Sequence, residues 1–321
     1  VFAPRRRGMN REVTSVFKRI FSLFLTTVII VLSVSMANML LYKYISPALF
    51  EFASHQSTLA VRAPAQPVTD ELLKQMQTQI KDKYNVQVLF GPETPLVYGI
   101  EYDNMTAATE MYERLYLIDN ELSRYPEGFF RVWEDINDHN PLQILLVNKI
   151  TSIQREKKDP GEEYLGVYTG SHVILYTQKA NRETLHHEIG HGIDYILRIS
   201  DYAQNNGVHF DRTEWDSFLP SGFEYGAATG SSTPKYVYSA ISKLNDIYFL
   251  DVYSTTAIEE HVATIFACSM LSDLARTPKR IQALASPHIQ DQMRYYFSLI
   301  RETFDDEGWA EIPCWEKSLV F

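Results

Sequence analysis

The chain has 321 residues, 45% of them hydrophobic and 22% charged, with 30 Lys and Arg against 40 Asp and Glu and a net charge of −10. Those proportions belong to a globular protein and exclude a largely disordered chain. The two Cys exclude a disulfide-built scaffold and a four-cysteine metal site, and the acidic balance excludes a general nucleic-acid-binding surface.

The charge is uneven along the chain. Residues 1–19 hold six basic side chains (Arg5, Arg6, Arg7, Arg11, Lys18, Arg19) and one acid, Glu12, and read as a basic cytoplasmic N-terminus. From Ile20 to Tyr42 no residue is charged. As a helix this stretch is about 34 Å long, enough to cross a hydrocarbon core of about 30 Å. The positive-inside rule keeps the N-terminus in the cytoplasm and sends the remainder across. Ser35-Met36-Ala37 offers a signal-cleavage site, but the apolar run continues through Met39, Leu40 and Leu41, which favours a retained anchor. The expectation is a body outside the cytoplasm, either membrane-anchored through residues 20–42 or secreted after signal cleavage. Residues 43–68, with Pro47, Pro64 and Pro67, read as a linker, and 69–321 as the folded domain.

Within that domain, 69–84 reads as a helix capped by Thr69 or Asp70, and 85–90 alternates like a short strand. Residues 106–125 carry Met111, Leu115 and Leu122 on one side of a predicted helix. LQILLV at 142–147 is a β-type apolar run, and the stretches that follow, split by Gly170 and Ser171, read as two strands or a hairpin. A helix is predicted over 182–198, a loop-rich stretch over 201–235, and further helices over 236–248, 257–274 and 287–304. Strands come first and helices dominate later, so the fold class is α+β, a small mixed sheet followed by a mainly helical half. In an exported protein Cys268 and Cys314 have two expected states, a disulfide or a buried free thiol at Cys268.

The predicted helix at 182–198 contains ETLHHEIGHGIDYIL, in which His187, Glu188 and His191 form H-E-x-x-H. Residues four apart on a helix share a face, so both imidazoles reach one ion. Glu188 then stands beside the ion without ligating it, placed to take a proton from water. His186 points away from that face and is left out of the site. A catalytic zinc needs a third protein ligand and an open position. The metzincin continuation would require Gly at 194 and His at 197, where this sequence has Asp194 and Leu197. The remaining candidates lie in VYSTTAIEEHVATIFA, where Glu259, Glu260 and His261 are all ligands by residue type and periodicity does not separate them. Asp194 has two expected roles, a hydrogen bond to a ligand imidazole or a cap or surface position.

Together HEIGHGID and Y-x6-E-x-x-A-x-x-F resemble the catalytic domain of the anthrax-lethal-factor-type zincins, a group that includes the secreted Pro-Pro endopeptidases. The resemblance covers two short stretches, 187–194 and 253–266. It implies a zincin-like fold and zinc-dependent hydrolysis of a peptide or protein substrate. It implies Zn²⁺ held by His187, His191 and Glu260, with Glu188 as general base and Tyr253 as oxyanion stabiliser. Zincins bind the peptide along an exposed sheet edge, for which Gly166 to Thr169 is the candidate, and the glycines at 222–232 suggest a lid. One position departs from the family: Thr264 stands where members carry an acid, which bears on one outer contact and not on the ligands. The alternative expectation is a zincin-fold binding or sensing module at the cell surface that keeps zinc without turnover.

Overall fold

A computed structural model of the chain describes residues 67–154, 163–170, 173–226, 236–239, 241–274, 279–305 and 307–320. All belong to the second of two units, Ser57–Phe321. The expected basic N-terminus, membrane segment 20–42 and nearly all of the linker lie outside the described residues. Among the described residues, no helix is long and apolar enough to cross a membrane.

Helix α1, Asp70–Tyr84, begins where Thr69 Oγ1 accepts the Leu72 N–H at 3.2 Å. Asp70 and Glu71 in the first turn and Lys81 and Lys83 in the last complement the helix dipole. Asn85, at φ 59°, stops it in the left-handed conformation that Asn tolerates. Strand β1 (Val86–Phe90) follows, then β2 (Ile100–Asn104), α2 (Ala108–Leu122) and a short α3 (Val132–Ile136). Strand β3 runs from Leu142 to Ile153, β4 from Gly166 to Tyr168 and β5 from Val173 to Thr177. The sheet order is β1-β3-β5-β4, with β2 pairing antiparallel to the later part of β3. β1 and β5 flank the first part of β3, both parallel to it, with Leu142 opposite Val86 and Gln143 opposite Val173. β4 runs antiparallel to β5 at the edge.

Burial on both faces explains the continuous apolar runs in β3 and β5. Ile144, Leu146, Ile174 and Tyr176 join the main core, shared with the helices. Their neighbours Leu145, Val147, Val173 and Leu175 form a second, smaller core on the opposite face. β2 was not expected from the sequence. Its burial alternates between half-buried and exposed, and only Ile100 and Tyr102 are apolar, which is too weak a pattern to read.

The later half is mainly helical. Helix α4 is Arg182–Asp194, continued by a single π turn, Tyr195–Ile199. Two short helices, α5 (Tyr202–Asn205) and α6 (Arg212–Ser217), punctuate the expected loop. α7 spans Ile258–Met270 and α8 spans Pro287–Thr303. The helix expected at 236–248 is absent from the described part of that stretch. Val237 pairs with Phe249 in an isolated parallel bridge, and only Leu244–Asp246 makes a 3₁₀ turn. Ser242 Oγ accepts the Ser239 N–H at 2.9 Å, the local side-chain competition that draws serine backbones out of helices. The disulfide option also fails: Cys268 and Cys314 are both free and buried.

Candidate metal centre

Asn181 opens α4 with a reciprocal capping box, its side chain accepting the Thr184 N–H at 3.1 Å while Thr184 Oγ1 accepts the Asn181 N–H. The cap fixes where the first turn starts, and therefore which residues face the sheet. Behind the helix, a buried polar cluster anchors its far side. His186 Nδ1 lies 2.8 Å from the Tyr125 hydroxyl, and His186 Nε2 lies 3.1 Å from Glu121 Oε2. Arg182 Nε pairs with Glu121 Oε1 at 3.0 Å. Burial alone would raise the Glu121 carboxyl, but His186, Arg182 and Arg124 hold it below its ordinary value. His186 thus belongs to the helix's support, as its position on the wheel implied.

On the open side, His187 and His191 stand one turn apart with ring centroids 4.6 Å from each other. Helix α7 brings Glu260 to both of them. Glu260 Oε2 lies 3.1 Å from His187 Nε2 and 3.3 Å from His191 Nε2. One ligand atom from each of the three residues falls within 4.8 Å of the others. Each of these side chains keeps between 16 and 18% of its surface exposed, so the group opens to solvent on one side. Desolvation works against ionising Glu260, but hydrogen bonds from both histidines hold its carboxyl far below the ordinary range. His191 is pushed up to about 9, burial being overcome by Glu260 and Glu188. Two imidazoles around one carboxylate make a cation-seeking pocket.

The approach of α7 to α4 depends on two small residues. A Cβ on Gly190 would lie 2.9 Å from the Ala263 Cα, so the helices meet backbone to backbone at that point. Gly190 and Ala263 therefore serve one close contact, which lets α7 bring Glu260 near the histidines. The other two candidates on α7 point elsewhere. Glu259 is half exposed and its carboxylate lies 3.5 Å from Arg198 Nη2. His261 is fully buried, with Nδ1 2.8 Å from the Tyr225 hydroxyl, and burial pushes its pKa down to about 3. Thr264 is buried. Asp194 takes neither expected role. It is buried and grips Arg198, with Oδ2 accepting Nη2 at 2.6 Å.

Glu188 is 6% exposed, and desolvation raises its carboxyl above the usual value, with His191 and His187 opposing and Glu260 adding to the rise. The edge strand closes over it. The Tyr168 backbone N–H bonds its carboxylate, and a Cβ on Gly166 would lie 2.8 Å from both its Cγ and Oε1. Tyr168 packs two residues along the strand, 3.2 Å from where a Gly192 Cβ would stand. Two strand residues and four helix residues both advance about 6 Å, so the face of β4 stays in register with the face of α4. Gly166 was noted in the sequence only as part of an edge, and a glycine opening a short strand was its sole signal.

Tyr253, on a 3₁₀ turn at Tyr253–Thr255, is 56% exposed and donates its hydroxyl to Glu260 Oε1 at 2.7 Å. All five residues expected at the site, His187, Glu188, His191, Tyr253 and Glu260, therefore gather around one mouth. The expected lid is described only to Gly226, whose N–H bonds the Thr255 carbonyl at 3.1 Å; residues 227–232 lie outside the described residues.

No protein-family model, curated protein or solved structure matches this chain. Its functional reading rests on these residues and their geometry.

Proposed function

We propose that the chain is a zinc-dependent endopeptidase of the zincin type. The observation that carries this reading is the convergence of His187, His191 and Glu260 beside a buried Glu188. The donor set suits Zn²⁺: two imidazoles and one carboxylate, with an open side for water or substrate. A zinc ion held there supplies a Lewis acid, which makes water a nucleophile near neutral pH.

The chain's own residues do the remaining work. Glu188 accepts the proton of the attacking water and returns it to the leaving amide nitrogen. Its place beside the two histidines, shielded from bulk water, suits a group that must both take and give a proton. Gly166 and the Tyr168 N–H hold that carboxylate in place. Tyr253 is exposed enough for its hydroxyl to leave Glu260 and donate to the carbonyl oxygen as charge builds there. β4 pairs with β5 on one side, and on its other edge, where the Tyr168 N–H already bonds Glu188, the remaining main-chain groups would bind an extended peptide. With the apolar segment 20–42 as anchor or signal, the site would face the outside of the cell.

The test is metal content and cleavage of the full chain, measured for wild type, Glu188→Gln and Glu260→Ala. Wild type is expected to carry about one zinc by mass spectrometry and to cut peptides from an internally quenched library. Glu188→Gln keeps the zinc and loses cleavage, whereas Glu260→Ala loses most of the zinc. Cleavage unchanged in Glu188→Gln would sink the reading. Zinc without cleavage in wild type would leave a binding module.

A further inference from the structure

Tyr253 is exposed, so packing does not fix where its hydroxyl lies. The turn that carries it is fixed instead by polar contacts at its start. Asp251 Oδ1 accepts the Ser254 backbone N–H at 2.8 Å and the Ser254 hydroxyl at 2.6 Å. Ser254 is fully buried, so the cap is shielded from water. The second Asp251 oxygen accepts Arg280 Nη1 at 3.0 Å. The other arm of the same guanidinium pairs with Glu183, in the first turn of α4. The Arg280 side chain is only 14% exposed.

We propose that Arg280 is a positioning residue that locks the Tyr253 turn to the metal-binding helix through Asp251 and Glu183. The catalytic part of this inference rests on the endopeptidase reading; the mechanical part does not. A guanidinium suits the task because its planar fork holds two carboxylates in fixed directions, which a lysine ammonium would not. One carboxylate caps the turn that carries Tyr253, and the other rides on the helix that carries His187, Glu188 and His191. The turn that carries the phenol is therefore braced from outside the site, in addition to the hydroxyl's own bond to Glu260. Shifting the phenol by about 1 Å is enough to cost up to about a hundredfold in rate.

Two measurements on the full chain test this. The first places 3-fluorotyrosine at 253 and follows its ¹⁹F resonance, a readout that needs neither metal nor substrate. Asp251→Asn keeps an oxygen for the Ser254 cap but removes the charge facing Arg280, and Arg280→Gln removes the fork. Both variants are expected to move the resonance toward that of a fluorotyrosine in an unstructured peptide. A resonance unmoved in Asp251→Asn overturns the proposal, even if Arg280→Gln fails to fold. The second uses one peptide that wild type cleaves. Asp251→Asn should lower kcat by about tenfold to a hundredfold with KM and zinc content unchanged. In a Tyr253→Phe background the same change should cost less than about twofold, because both act through one hydroxyl. A full loss in that background, or a loss in KM alone, assigns Arg280 to general stability and overturns the positioning role. A moved resonance in a protein that binds zinc and cuts no peptide leaves the clamp standing and sinks the peptidase reading instead.

Discussion

At the scale of single residues, the site divides by how its members can be read. His187, Glu188 and His191 are legible because helix geometry forces residues four apart onto one face. The third candidate ligand is not legible from periodicity. Glu259, Glu260 and His261 are consecutive, and α7 is buried from His261 through Met270, so no apolar stripe orients it. The packing of α7 on α4, closest at Gly190 and Ala263, turns Glu260 to the histidines. Tyr253 is legible only through resemblance, and Arg280 carries no signal at all. Two predictions belong at this scale. Tyr253→Phe should lower kcat by about 10²–10³, with zinc retained, if the hydroxyl stabilises the oxyanion. An equal KM change with kcat intact would make it a substrate contact instead. Gly166→Ala would place a methyl 2.8 Å from the Glu188 Cγ and Oε1 and 2.9 Å from the Thr184 Cγ2. Glu188 must then move, so cleavage should fall by about a hundredfold while zinc content stays at the wild-type level. Wild-type activity in that variant would mean that the carboxylate is not held by the edge strand.

At the scale of elements, legibility follows burial. β3 and β5 announce themselves because both faces are covered, whereas β2 lies at a half-exposed edge with an irregular register. The serines at 239 and 242 defeat a helical pattern that looks adequate by hydrophobicity. The end of α4 is a further surprise, since nothing in YILRI marks a π turn. The pairing of α4 with α7 is the element-level feature on which the metal group depends, and Gly190 tests it. In an isolated helix, Gly→Ala would add roughly 1 kcal/mol of stability. Here the new methyl would meet the Ala263 Cα at 2.9 Å, and backbone cannot swing aside as a side chain does. Overpacking of this kind costs about 1–3 kcal/mol, so the sign reverses. Gly190→Ala should lower Tm in calorimetry and weaken zinc binding together. A raised Tm with unchanged zinc affinity would show that the helices have room to part.

At the scale of the whole molecule, a charged clasp at Asp273 is one of the ties between the helical half and the earlier elements of the domain. Arg124, just past the end of α2, donates through Nη2 to the Met270 carbonyl at 2.5 Å and also pairs with Asp273, beyond the end of α7. Lys317, near the C-terminus, donates to Asp273 Oδ2 at 3.0 Å. Partial burial would raise the Asp273 carboxyl, but Arg124 and Lys317 outweigh it and hold the group below its ordinary value. The sign of the pH effect follows from that depression. The folded state prefers the ionised carboxylate, so the clasp contributes its full stabilisation above the unfolded pKa, about 4, and loses it as pH falls through the lower folded value. Asp273→Asn removes this contribution and leaves Arg124 with one partner fewer. The variant should therefore melt below wild type at neutral pH by an amount that is constant between about pH 5 and 7. Below about pH 4 the two melting temperatures should converge, because wild type protonates the same group. Calorimetry of both proteins across that range checks it. A Tm gap that stays the same down to about pH 3 would assign the stabilisation to packing and neutral hydrogen bonds, and remove Asp273 from the acid response.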